Sequence, residues 1–173
     1  MNQKMLKKWM WRLFGAVLVL LLAAFWVLLD ASPAIAQEKT VNYALTDQRN
    51  SDFSHKDLAN GVFAGADLTH ANFEGSNMTE SILTKAIFDV ANLKGVNFTN
   101  ALADRVTFKG ADLRNAIFVD AIATNTTFYQ AKIEGADFSG ALLDRYQIAQ
   151  MCKRAEGTNP VTGIETRYSL GCR

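Results

Sequence analysis

Four side chains carry thiol or imidazole chemistry, namely Cys152, Cys172, His55 and His70. Thiolates serve as nucleophiles, metal ligands or redox partners, and imidazoles ligate metals or move protons near neutrality. None of the four sits in a spacing that supports such work. The chain has no C-x-x-C, no H-E-x-x-H, no G-x-S-x-G and no phosphate-binding glycine loop. Carboxylates and amides are plentiful, as at Asp67, Asn72, Asn92, Asp112 and Asp137, but they recur at a fixed interval. An acid–base pair is singular, whereas a group repeated along a chain points to architecture.

That interval is five. Counting from Phe53 in steps of five to Leu143 meets nineteen positions, of which nine are Phe and six are Leu; the others are Met78, Ile133, Ala103 and Ala123. Every Phe after residue 50 falls on this register, an arrangement with a chance probability of roughly one in two million. Two residues before each of these centres the chain carries Ala eleven times, and Lys56 is the one charge found there.

A period of five fits neither a helix nor a flat strand. It fits a short extended side followed by a corner, with the small residue and the centre pointing in. Four sides close a square coil of twenty residues, stacked on the next at about 4.8 Å. Residues twenty apart then form columns, such as Leu58, Met78, Phe98, Phe118 and Phe138, or Leu68, Phe88, Phe108, Phe128 and Ile148. His55 and His70 fall on different corners, which favours solvated corner residues over a shared metal; no metal or cofactor is expected. Anything larger than Ala at the small position overpacks the coil.

Units such as Ala66-Asp67-Leu68-Thr69-His70, Ala71-Asn72-Phe73-Glu74-Gly75 and Ala111-Asp112-Leu113-Arg114-Asn115 resemble the A(D/N)LXX signature of pentapeptide-repeat proteins. The resemblance covers 95 of the 173 residues. It implies an all-β solenoid, a right-handed quadrilateral β-helix of about five coils held together by contacts between neighbouring coils.

Residues 1–36 have the layout of a secretory signal peptide. Lys4, Lys7, Lys8 and Arg12 precede the apolar run Leu13 to Leu29, and Ala34-Ile35-Ala36 forms an A-x-A cleavage site. Cleavage is the expectation, with an N-terminal membrane anchor as the alternative. Of 18 basic and 17 acidic residues, the signal removes these four and Asp30, so the mature chain has 14 against 16. Such a balance does not suit a nucleic-acid binder.

Residues 37–50 are expected to cap the N-terminal coil, through the alternation of Val41, Tyr43 and Leu45, or else to form a flexible linker. The repeat domain spans residues 51–145. After it, residues 146–173 are expected to form a C-terminal cap, with Ile148, Met151, Cys152 and Ala155 at helical spacing and Gly157 as a helix stop. In an exported chain, Cys152 and Cys172 are expected to form a disulfide; two free thiols or a redox-active pair are the alternatives. The segment 157–163, with Thr166-Arg167 and Ser169-Leu170-Gly171-Cys172, resembles the tail of cyanobacterial and chloroplast thylakoid-lumen members of the family, which implies the lumen, or else the periplasm.

One column departs from the grammar of the repeat. Before the centre the residue is usually polar, yet on the third side of every coil it is Val62, Ile82, Leu102, Ile122 and Leu142, with Lys85, Arg105 and Arg145 on the corner beside them. Such a strip marks contact with a protein partner or a membrane surface. Alternatively, since two of the centres are only Ala103 and Ala123, the backbone rotates to put the larger residue inside, or a cap covers the strip.

Three functions compete. The reading preferred is a non-enzymatic, exported structural or protein-interaction module, monomeric in solution. A DNA-mimic topoisomerase inhibitor requires strong negative charge and a cytoplasmic location. A thiol/disulfide redox-responsive lumenal protein requires an activated cysteine, with Lys153 and Arg154 the nearby cations.

Overall fold

The computed structural model describes residues 17–18 and 40–173. The signal-peptide expectation for residues 1–36 lies almost wholly outside them. No helix among the described residues is long and apolar enough to cross a membrane.

From Thr40 onward the chain forms one unit built from the five-residue repeat. Parallel bridges join residues twenty apart, from Asn42 with Val62 through Ile117 with Asp137. The last of the ladder is two short strands, β1 (Ile122–Ala123) and β2 (Leu142–Leu143), paired in parallel with Ile122 opposite Leu142. Each side makes two kinds of bond to its neighbours. Phe53 N–H donates forward to Asn72 O at 2.7 Å, and Asn72 N–H donates back to Ser51 O at 2.9 Å. Corners close with a turn, as where Ala66 N–H donates to Phe63 O at 3.0 Å. The residue before that turn ends has positive φ all along the chain, which explains the recurrence of Gly and Asn there. Val90, at φ 57°, is the β-branched exception.

The centres and the small residues fill the interior. Phe88, Phe108 and Phe128 stack at centroid spacings of 5.4 Å, and Phe118 stacks on Phe98 at 4.8 Å and on Phe138 at 5.1 Å. We count sides from the unit centred on Phe53. In the early coils the rings stand on the first and third sides, with Phe53 on Phe73 and Tyr43 on Phe63. Beyond residue 83 they stand on the second and fourth. Two opposite sides carry Phe while the other pair carries something smaller, so volume per coil stays near constant. This accounts for Ala103 and Ala123, each flanked in sequence by two Phe-centred units, and both are fully buried.

Three expectations are corrected. Residues 41–50 are not a separate cap or a linker but two further repeat units, with Tyr43 and Gln48 as centres, Asn42 and Asp47 bridged to Val62 and Asp67, and Leu45 on an exposed corner at φ 56°. The alternation of Val41, Tyr43 and Leu45 is thus one side and its corner. Ile148 does not extend the Phe column, because the chain has already entered helix α1 (Arg145–Met151). Gly157 does not end that helix either, which stops at Cys152.

The C-terminal segment finishes the solenoid by imitating a further coil. Helix α1 buries Met151, and Ala155 and Leu170 join the same apolar cluster. Backbone donors on the last coil are met one by one: Asn125 N–H by Asp144 Oδ2 (2.7 Å), Phe128 N–H by Gln147 Oε1 (3.2 Å), Gly135 N–H by Glu156 O (2.9 Å) and Phe138 N–H by Ser169 Oγ (3.0 Å). Ser169 belongs to the short helix α2 (Thr166–Ser169). An unpaired edge invites association, and here three side chains and the Glu156 carbonyl meet these donors.

Candidate interaction surface

The repeated Asp and Asn residues have a structural task. All eleven at the position before a centre accept, through Oδ1, the backbone N–H of the residue after that centre, as Asp67 does from Thr69 (3.1 Å) and Asn97 from Thr99 (3.0 Å). Successive members also bond to each other, Asn92 Nδ2 to Asn72 Oδ1 at 2.9 Å and Asn77 Nδ2 to Asp57 Oδ1 at 2.8 Å. Side-chain oxygens thus pin these eleven corners.

The third side gives this up. Its column begins with Asn42, which makes the bond, and continues as Val62, Ile82, Leu102, Ile122 and Leu142, which have no oxygen to offer. Nor is the loss offset by full burial, since Ile82 is 41% exposed, Leu102 37%, Ile122 40% and Leu142 58%. Because Ala103 and Ala123 remain inside, the backbone does not rotate to bury the larger neighbour. Bridges run without a break from Val62 to Leu142, so the five side chains form one ridge. Elsewhere the departures are local: Ile117 is buried near the C-terminal segment, while Ile87 and Val90 are exposed singly.

On the corner after the ridge stand Lys85, Arg105 and Arg145, all exposed. Arg105 donates to Asp104 at 2.7 Å, which holds the Asp104 carboxyl below the usual carboxylate range together with bonds from Asn125 and Thr124. On the corner before the ridge stand Asn60, Glu80, Asn100, Asp120 and Gly140. Between ridge and basic corner runs a lower shelf of Ala64, Thr84 and Thr124, with Asp104 and Asp144 interleaved.

Other places offer less. Cys152 and Cys172 are joined, with Cα atoms 5.6 Å apart. The cations nearest the cysteines in sequence are engaged otherwise. Arg154 donates to the carbonyls of Phe128 (2.7 Å) and Ala131 (3.2 Å), and Lys153 to Gln150 Oε1 (3.0 Å). Desolvation against the coil lowers the Arg154 pKa. His55 packs over Gly75, and His70 stands on another corner. A hollow of about 330 Å³ beside Val90 holds Lys94 and Arg114, already paired with Glu74 and Asp112.

Sequence reasoning missed Asn159. Fully buried, its Nδ2 donates to the carbonyls of Asn115, Ala116 and Gly135, while its Oδ1 accepts from Val161 and Thr162 N–H. An Asn-Pro pair marks a turn but does not reveal that it will plug a neighbouring corner.

Eight copies of the profile for pentapeptide repeats match across residues 49–145. The chain belongs to the pentapeptide-repeat family. Among solved structures it is similar to a pentapeptide repeat protein from the Arabidopsis thaliana thylakoid lumen, with 32% identity and a TM-score of 0.55 over 76% of this chain and 91% of that one. HetL, a pentapeptide repeat protein involved in heterocyst differentiation regulation from the cyanobacterium Nostoc, shares the fold at 21% identity and a TM-score of 0.58, over 60% of this chain and 49% of that one. A stretch of 35 residues is 57% identical to the Arabidopsis thaliana chloroplast protein called thylakoid lumenal protein TL20.3, covering 20% of this chain and only 12% of that protein.

Proposed function

We propose that this pentapeptide-repeat chain is an exported, non-enzymatic interaction module of the thylakoid lumen, and that the ridge from Val62 to Leu142 is its docking surface for a protein. The observation that carries the reading is the ridge itself. Four consecutive coils exchange a corner-pinning Asp or Asn for a half-exposed aliphatic side chain, a conflict between local structure and sequence that marks function. Similarity to two thylakoid-lumen proteins supports the lumen over the periplasm, and a signal-like N-terminus supports export. The proposal includes the right-handed, about five-coil winding that the family resemblance implies. Mixed charges beside the ridge, with Asp104 against Arg105 and Glu80 across from Lys85, suit a protein better than an anionic membrane.

Crosslinking in the native compartment, followed by mass spectrometry, tests this. Replacing Leu102 and Ile122 with Ser is expected to leave the fold intact and abolish the crosslinked product. An unchanged product would overturn the assignment of the ridge, and recovery of the chain from the cytoplasm would overturn the compartment.

A further inference from the structure

We infer that the occupant of the ridge is a second copy of the same chain, docked side to side with the two solenoid axes parallel. The inference rests on the ridge being a docking surface and names its partner.

The third side is flanked by unlike corners. Glu80 and Asp120 stand on one, Lys85 and Arg105 on the other, and residues five apart lie at nearly the same height along the axis. With the solenoid axes aligned, two copies can bring this side against itself about a two-fold axis in two ways. With the two-fold along the solenoid axis, each corner meets the opposite corner at equal height. Lys85 then faces Glu80 of the other copy, Arg105 faces Asn100, and Asn125 faces Asp120. With the two-fold across the axis, the solenoids run antiparallel and like meets like: centred on Leu102, Arg105 faces Arg105 and Glu80 faces Asp120. Charge selects the parallel arrangement.

Shape selects it too. Ridge and shelf lie side by side on the same face. The parallel two-fold sets Val62, Ile82 and Ile122 over the other copy's Ala64, Thr84 and Thr124, and Leu102 and Leu142 over Asp104 and Asp144, while the antiparallel one sets ridge against ridge. Asp104 and Asp144, which also stand in the shelf, are already bonded within their own chain to Arg105 and to Asn125 N–H. The ridge is about 19 Å long, four steps of about 4.8 Å. One solenoid side therefore buries less than the roughly 1,200 Å² of a stable interface, and the dimer is expected to be weak and concentration-dependent. The inference departs from the monomer expected from the sequence.

Sedimentation velocity of the purified full chain from about 1 to 500 µM tests the inference. The wild type is expected to pass from monomer to dimer. Lys85→Glu sets Glu against Glu80 on both sides of the two-fold and is expected to weaken the dimer about tenfold. Glu80→Lys combined with Lys85→Glu restores the pairing and the dimer. Both positions are exposed corners that already hold long side chains at positive φ, and a thermal midpoint equal to wild type verifies folding. A dimer indifferent to Lys85→Glu, or not rescued by the double exchange, would overturn the parallel geometry. A wild type that stays monomeric throughout would overturn the second copy as occupant. In that case, loss of a heterologous crosslink on changing Leu102 and Ile122 to Ser would leave the docking surface standing, and no such loss would remove it as well.

Discussion

Replacing Leu102 with Asn separates a ridge kept for binding from one kept for stability. Leu102 is 37% exposed, so more than half of its surface is already withheld from water. A fully buried Leu is worth about 2 kcal/mol, and removing this one forfeits about 1 kcal/mol. Asn in its place regains the bond that all eleven Asp and Asn residues at this position make, here from Asp104 N–H, for a gain of about 1 kcal/mol. The two nearly cancel. We expect the unfolding free energy, measured by urea denaturation with circular dichroism, to change by less than about 1 kcal/mol. Phe108→Ala, in the fully buried stack, is expected to cost about 3–5 kcal/mol in the same assay. A loss of 3 kcal/mol or more for Leu102→Asn would show the ridge to be core and refute the reasoning.

Reducing Cys152–Cys172 opens a loop of sequence separation 20 and is expected to destabilise the C-terminal segment by about 3 kcal/mol, seen as faster hydrogen exchange over residues 145–172 with the coils still protected. Gly157→Ala would place a Cβ 2.8 Å from the Gly135 nitrogen at φ +80°, and we expect a loss of about 1–3 kcal/mol in thermal or urea unfolding. Val90→Asn relieves a β-branched residue at φ 57° and is expected to raise stability by about 1 kcal/mol in the same measurement. Arg49 depresses the Asp47 pKa to about 2, and Arg114 lowers that of Asp112. Groups depressed on folding stabilise above their unfolded pKa, so the thermal midpoint is expected to hold down to about pH 4 and fall towards pH 2.

The solenoid was legible because every coil repeats the same instruction. Phe on a period of five, with Ala two residues earlier, forces an inward centre and a crowded corner wherever it occurs. The two units centred on Tyr43 and Gln48 escaped notice because neither centre is Phe or Leu, although both stand on the register. The ridge was legible as a column, but its exposure was not. Whether Leu102 or Ala103 points inward depends on how much space the Phe side chains at 98 and 108 leave, a packing question that spacing cannot answer. The C-terminal segment was least legible. Asn159, Gln147 and Ser169 are defined by backbone groups on the last coils, contacts up to 44 residues away in sequence, and no local pattern encodes them.

The claim that the third side is a docking surface is tested most directly by placing a photoreactive residue at position 102 and, as a control, at position 72 on the polar first side, then irradiating the protein in its native compartment. The account predicts a discrete crosslinked species from position 102 and none from position 72. The same products from both positions, or none from 102, would contradict it.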